Sequence, residues 1–189
     1  MNLFAAVSLM GLLAGATPQT QTPPKAPPVF KPSDNPVSDA ARASLEKNSK
    51  KLIAAAEAMP AEKYSFHPTP AQMTFGKLIA HIAQTNVGIC AGLGGAMPPP
   101  DLSKLAETDT KDTLVAAVKQ SFDYCTAALG KLTDTQLGTE WAVGEKKNGV
   151  SRAYAVIIIA EDWADHYSTA AAYLRANDIL PPTAQPKKQ

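Results

Sequence analysis

From Pro36 onward, apolar residues recur at spacings of three and four, the rhythm of helices that bury one face. Val37-Ser38-Asp39 offers an N-cap, and residues 40–59, mostly Ala, Leu, Ile, Lys and Glu, predict a first helix stopped by Pro60. A proline-containing loop follows. Thr74 can cap a second helix reaching about Leu93, with Phe75, Leu78, Ile79, Ile82 and Ile89 on its apolar face. Glycines 92, 94 and 95 and prolines 98, 99 and 100 end it. Leu114, Val118, Phe122, Cys125 and Leu129 mark a third helix over residues 110–129, and Ser151 can cap a fourth and longest one reaching about Asn177. Residues 130–149 read as a turn-rich link. Residues 156–159 are β-branched but continuous with a helical pattern, so no strand is predicted. There is no internal repeat. Four amphipathic helices bury four apolar stripes most simply as an all-α four-helix bundle. The connection of roughly fifteen residues between helices two and three is long for antiparallel neighbours and allows a crossover to a parallel one.

The chain ahead of this pattern differs in kind. Residues 3–13 are apolar and are followed by Ala14-Gly15-Ala16, which resembles an export-signal cleavage site, although no Lys or Arg precedes the run. The run is short of the ~20 residues that span a bilayer, so residues 1–16 are expected to be a signal peptide rather than a stable membrane anchor. The protein is then exported, periplasmic or secreted. No Cys follows the small residues, so no lipid attachment point is expected. Residues 17–36 hold seven prolines and predict an extended linker; residues 37–186 form the bundle and 187–189 a tail.

Composition narrows the function. With 189 residues, 45% of them hydrophobic, the chain can build a real core. Its 18 basic and 17 acidic residues are dispersed, which gives no cationic stripe for counterion release and argues against a nucleic-acid partner. A small-molecule ligand or a homodimer remains open as the partner. Cys90 and Cys125 can meet in a disulfide if helices two and three run parallel; two buried free thiols are the other reading. There is no CxxC spacing for thiol metal or redox chemistry.

The main chemical signal is "EDWADHY", residues 161–167, inside a very apolar stretch. Four residues apart, Asp162 and His166 project about 40° from each other on a helix. On a helical wheel Ala155, Ile159, Trp163, Ala170 and Tyr173 share their side, which places the pair in the inward stripe. A carboxylate there needs a hydrogen bond, an imidazolium, a proton, water or a metal. His81, on helix two, can complete a set of two imidazoles and one carboxylate suited to Zn, Ni, Mn or Fe(II). A packed His–Asp hydrogen bond explains the same residues without metal. Glu161, Asp165, Tyr167 and Tyr173 are further polar candidates; His67 reads as a surface residue, and Trp141 and Trp163 as packing residues.

The stretches "YSFHPTPAQMTFGKLIAHIAQTN", "SFDYCTAAL" and "DHYSTAAAYLRANDILPPTAQP" resemble the DinB (damage-inducible) superfamily, in particular its small exported bacterial branch, over about residues 37–186. The resemblance implies up-down-down-up topology with helices two and three parallel. It also implies a divalent-metal site made by one His of helix two and an H-x-x-x-H pair of helix four. At the corresponding positions stand His81, Asp162 and His166, so the middle ligand departs from the pattern. Members of the family include metal-dependent thiol transferases that use bacillithiol or mycothiol, so thiol transfer is the activity the resemblance implies; a metal-dependent hydrolase is the other enzyme class expected. The alternative is a non-catalytic exported interaction module with a degenerate metal site.

Overall fold

The computed structural model describes residues 31–94 and 98–186. The proposed signal peptide, residues 17–30 of the proline-rich linker and the 187–189 tail lie outside the described residues. Among the described residues there are four α-helices: α1 Pro36–Ala58, α2 Phe75–Cys90, α3 Lys111–Gly130 and α4 Arg152–Arg175. None is long and apolar enough to cross a membrane.

The helix starts follow local chemistry at three of the four. Thr74, Thr110 and Ser151 each accept a hydrogen bond from the backbone three residues ahead, at 3.1, 3.2 and 3.3 Å. The first helix differs. It begins at Pro36, and its N-cap Asn35 makes no capping bond of its own. Instead Asp134, from the turn after α3, accepts from the Val37 and Ser38 amides at 3.0 and 2.8 Å, and its own amide donates to Asn35 Oδ1 at 2.9 Å. Partial desolvation works against the Asp134 charge, but the amide bonds outweigh it and hold its carboxyl below the usual range.

Residue pairings fix the topology. Between α2 and α3, Asn86 meets Ser121 and Cys90 meets Cys125, a constant offset of 35 residues that only parallel helices keep. Near the start of α1, Arg42 donates to the carbonyls of Leu129 in the last turn of α3 and Leu132 just beyond it, while Glu57 pairs with Lys119 at 2.6 Å; these two helices are antiparallel. Tyr173, late in α4, reaches Met73 just before α2, and Trp163 reaches Asn86 near its end, so α2 and α4 are also antiparallel. The result is an up-down-down-up four-helix bundle. Trp163, Phe75, Leu52, Leu78, Ile79 and Leu114 are among the fully buried side chains at its centre. Cys90 and Cys125 are joined by a disulfide, with both residues wholly buried.

The link between α3 and α4 departs from the sequence expectation. It holds an antiparallel hairpin, β1 Glu140–Val143 with β2 Lys146–Ser151, where no strand was predicted. Its two-residue loop starts at Gly144, with φ +60°, the position where tight hairpins favour glycine. The first strand is a short run with Trp141, Ala142 and Val143 in succession and the second is mostly polar, so neither shows an alternating apolar face, which hid them from pattern reading. What seats the hairpin is Trp141, whose indole nitrogen donates to Ile89 O at 3.1 Å and packs onto Gly92.

Candidate metal centre

His81 stands in the middle of α2, while Asp162 and His166 stand one turn apart in the middle of α4. The antiparallel packing of these two helices is pinned by two hydrogen bonds near them. Trp163 Nε1 donates to Asn86 Oδ1 at 2.6 Å, and Tyr173 Oη donates to Met73 O at 2.7 Å. Beside those bonds, one nitrogen or oxygen atom from each of His81, Asp162 and His166 lies within 4.8 Å of the others. The two imidazole centroids are 5.0 Å apart.

The site lies at the rim of the core. His166 is 12% and Asp162 24% exposed at the side chain, while His81 faces solvent. The inward stripe expected for Asp162 and His166 is therefore only half realised. His166 Nδ1 is 2.7 Å from its own helix's Asp162 carbonyl oxygen and 3.1 Å from Asp162 Oδ2. A carbonyl can only accept, so Nδ1 carries the hydrogen, and in the neutral ring Nε2 keeps the lone pair. Burial disfavours charge on this imidazole, but the Asp162 carboxylate, its carbonyl and Asp165 outweigh it and raise the His166 pKa.

Asp162 Oδ2 is buried yet receives no hydrogen bond, since the Nδ1 hydrogen is directed to the carbonyl. A buried oxygen left this way is costly unless something else meets it. Two imidazoles and one such carboxylate are a donor set for Zn, Ni, Mn or Fe(II), with positions left for a further ligand. The residues present therefore fit a divalent cation.

Two clefts flank the cluster. One, of about 220 Å³, is lined by His81, Lys77, Gln84 and Glu107; the other, of about 310 Å³, by His166, Asp165, Thr169 and Tyr173. Met73 lines both. Of the other polar candidates, Asp165 borders the second cleft and Glu161 is exposed. Tyr173 also borders it, and desolvation raises its pKa, so the phenol stays protonated at neutral pH. Tyr167 is directed elsewhere: its hydroxyl is engaged by Thr183 at 2.8 Å, and Lys51 Nζ lies 5.2 Å from its ring centroid. His67 is exposed. Trp163 is fully buried, and its hydrogen bond makes it more than a packing residue. Met73, Lys77 and Asn86 were not singled out from the sequence; only the spacing of Lys77, one turn before His81, could have drawn attention to it.

A family model of the DinB superfamily matches residues 44–170. This chain belongs to the DinB superfamily. Among solved structures, it is similar to a DinB-like protein from Bacillus subtilis, at 21% identity and a TM-score of 0.58, covering 78% of this chain and 99% of that one. It is also similar to a DinB-like protein from Bacillus cereus, at 14% identity and a TM-score of 0.60, covering 76% of this chain and 95% of that one. At these identities the likeness is one of fold. No curated protein gives a significant match.

Proposed function

We propose that this chain is an exported, divalent-metal-dependent enzyme acting on a small molecule, with transfer of a thiol as its reaction class. The observation that carries the reading is the convergence of His81, Asp162 and His166 within 4.8 Å around a buried carboxylate oxygen that has no hydrogen bond. A cation held there supplies Lewis-acid polarisation and makes a bound water or thiol more acidic. The protein's own part is orientation and proton handling. The Asp162 carbonyl fixes the His166 ring through Nδ1, and the Asp165 carboxylate, bordering the same cleft as His166, is placed to accept a proton. Thr169 offers a hydroxyl to orient the ligand, and the protonated Tyr173 phenol, its hydrogen given to Met73, offers an acceptor oxygen. Export is supported by the buried disulfide, a bond that persists in oxidising compartments.

One observation favours a second reading. His166 and Asp162 already form a close pair within one helix, at 3.1 Å, which can serve packing alone. The chain would then be a non-catalytic exported module, with exposed Tyr154 and Ile157 on α4 as a surface for a second copy. Neither reading involves nucleic acid.

Elemental analysis of untagged protein from its native compartment, beside His81→Ala and His166→Ala, separates the two. Near-equimolar metal that both substitutions remove supports the enzyme. No metal after incubation with Zn, Ni, Mn and Fe(II) overturns it and leaves the interaction module.

A further inference from the structure

The smaller cleft has an unusual outer wall. Residues 105–107 run antiparallel along α2: Gln84 Nε2 donates to Leu105 O at 3.1 Å, and Glu107 O lies over Gly76, where a Cβ would come within 2.7 Å of it. Gly76 is what lets this wall approach so closely. The floor of the cleft is Lys77, Ala80 and His81, with Lys77 one helical turn from His81 on the same face. Lys77 and Glu107 are both exposed, and neither side chain makes an ion pair or hydrogen bond with another described residue. Residues of opposite charge, Lys77 and Glu107, thus line one small cavity with no ion pair between them.

We propose that this cleft is a subsite for the zwitterionic head of a small α-amino acid, its carboxylate on Lys77 Nζ and its ammonium on Glu107. A simple anion meets Lys77 but is repelled by Glu107, and a simple cation meets the reverse; only a ligand carrying both charges gains from both. A cavity of about 220 Å³ is below the range of drug-sized sites and suits one small amino acid. The other cleft lacks the lysine and holds Asp165, so it offers no such pair. His81 lines the same cleft, so an amino acid bound there lies next to the candidate metal centre. That last point rests on the cluster being the reactive centre, whereas recognition of the head group requires no metal.

The test uses metal-free protein titrated with L-alanine, acetate and methylammonium while backbone amide resonances are followed by NMR. L-Alanine is expected to give saturable shifts at Lys77, Ala80, His81 and Glu107 with none at Thr169, and the two single-charge probes to bind more weakly. Lys77→Gln and Glu107→Gln are each expected to weaken L-alanine binding about three- to fivefold, with Lys77→Arg retaining it, since exposed charge pairs contribute little more than this. An equal response to acetate and L-alanine, shifts centred on Thr169, or unchanged affinity in both Gln variants overturns the subsite. Lys77→Gln is expected to keep any bound metal. Metal bound without L-alanine binding therefore sinks the subsite alone, and L-alanine binding to a protein that takes up no metal sinks the metalloenzyme reading alone.

Discussion

Trp163 of α4 donates its indole hydrogen to Asn86 Oδ1 of α2 at 2.6 Å inside the bundle, and Asn86 Nδ2 in turn donates to Ser121 Oγ of α3 at 3.0 Å. Asn86, Ser121 and Trp163 are each fully buried, so one amide side chain satisfies polar groups of two other helices. Asn86→Ala would strand the Trp163 N–H and the Ser121 hydroxyl's partner site in the core. The expected loss is about 2 to 4 kcal/mol, read as a lower midpoint in urea unfolding. A midpoint shift within error of wild type would show that the network contributes no net stability.

The hairpin depends on an absent side chain. A Cβ at Gly92 would lie 2.1 Å from Trp141 Nε1 and 2.9 Å from Ala142 O, distances no repacking of a single rotamer relieves. Gly92→Ala is expected to destabilise by about 2 kcal/mol or more and to free the hairpin. In the Trp141→Ala background the same change should cost much less, because the indole is the main obstacle. Additive effects across that double-mutant cycle would disprove the contact.

The His166 environment makes stability depend on pH in a definite direction. Its folded pKa is raised above the unfolded value of 6.5, so its stabilising contribution is full below that value and is lost as pH rises through the folded pKa. In metal-free protein, His166→Gln is therefore expected to destabilise more near pH 5.5 than near pH 8.5. Thermal unfolding at both values checks this; a larger penalty at the alkaline pH would contradict it. Groups such as Asp134, whose lowered pKa gives the opposite trend, are common to both proteins and cancel in the difference.

The disulfide encloses a sequence separation of 35 residues. In the chain-entropy account such a bridge stabilises by about 3 to 4 kcal/mol. Replacing both Cys90 and Cys125 by Ala should lower stability by that order or somewhat more, since two wholly buried sulfurs are also lost. Equal unfolding midpoints for oxidised and dithiothreitol-treated protein, with reduction verified by thiol titration, would remove the disulfide from the account of stability.

Much of the fold was legible because helical periodicity and capping are local. Leu114, Val118, Phe122, Cys125 and Leu129, spaced at three and four, are all buried in α3, and Thr74 and Ser151 cap their helices as their positions suggested, while the expected cap at residues 37–39 lies inside α1. Local rules placed Asp162 beside His166, because one helical turn is all that separates them. His81 stood out as a third candidate ligand on helix two and the family pattern singled out the same position, but the disposition of its ring beside His166 required the crossing of two helices.

The sequence by itself determined which faces of the four segments seek the core, since a period of 3.6 residues is written into neighbouring positions. Tertiary structure alone decided what meets across long separations. Asp134 caps α1 from 97 residues away, Trp141 seats a polar hairpin on Gly92, and residues 105–107 close a cleft against Gly76. In each case the partner is chosen by how packed helices bring distant backbone groups together, and a buried N–H or carbonyl then takes whichever donor or acceptor the fold delivers. That choice has no signature in the local pattern, because the same Asp, Trp or Gly would read as an ordinary turn residue until the bundle closes.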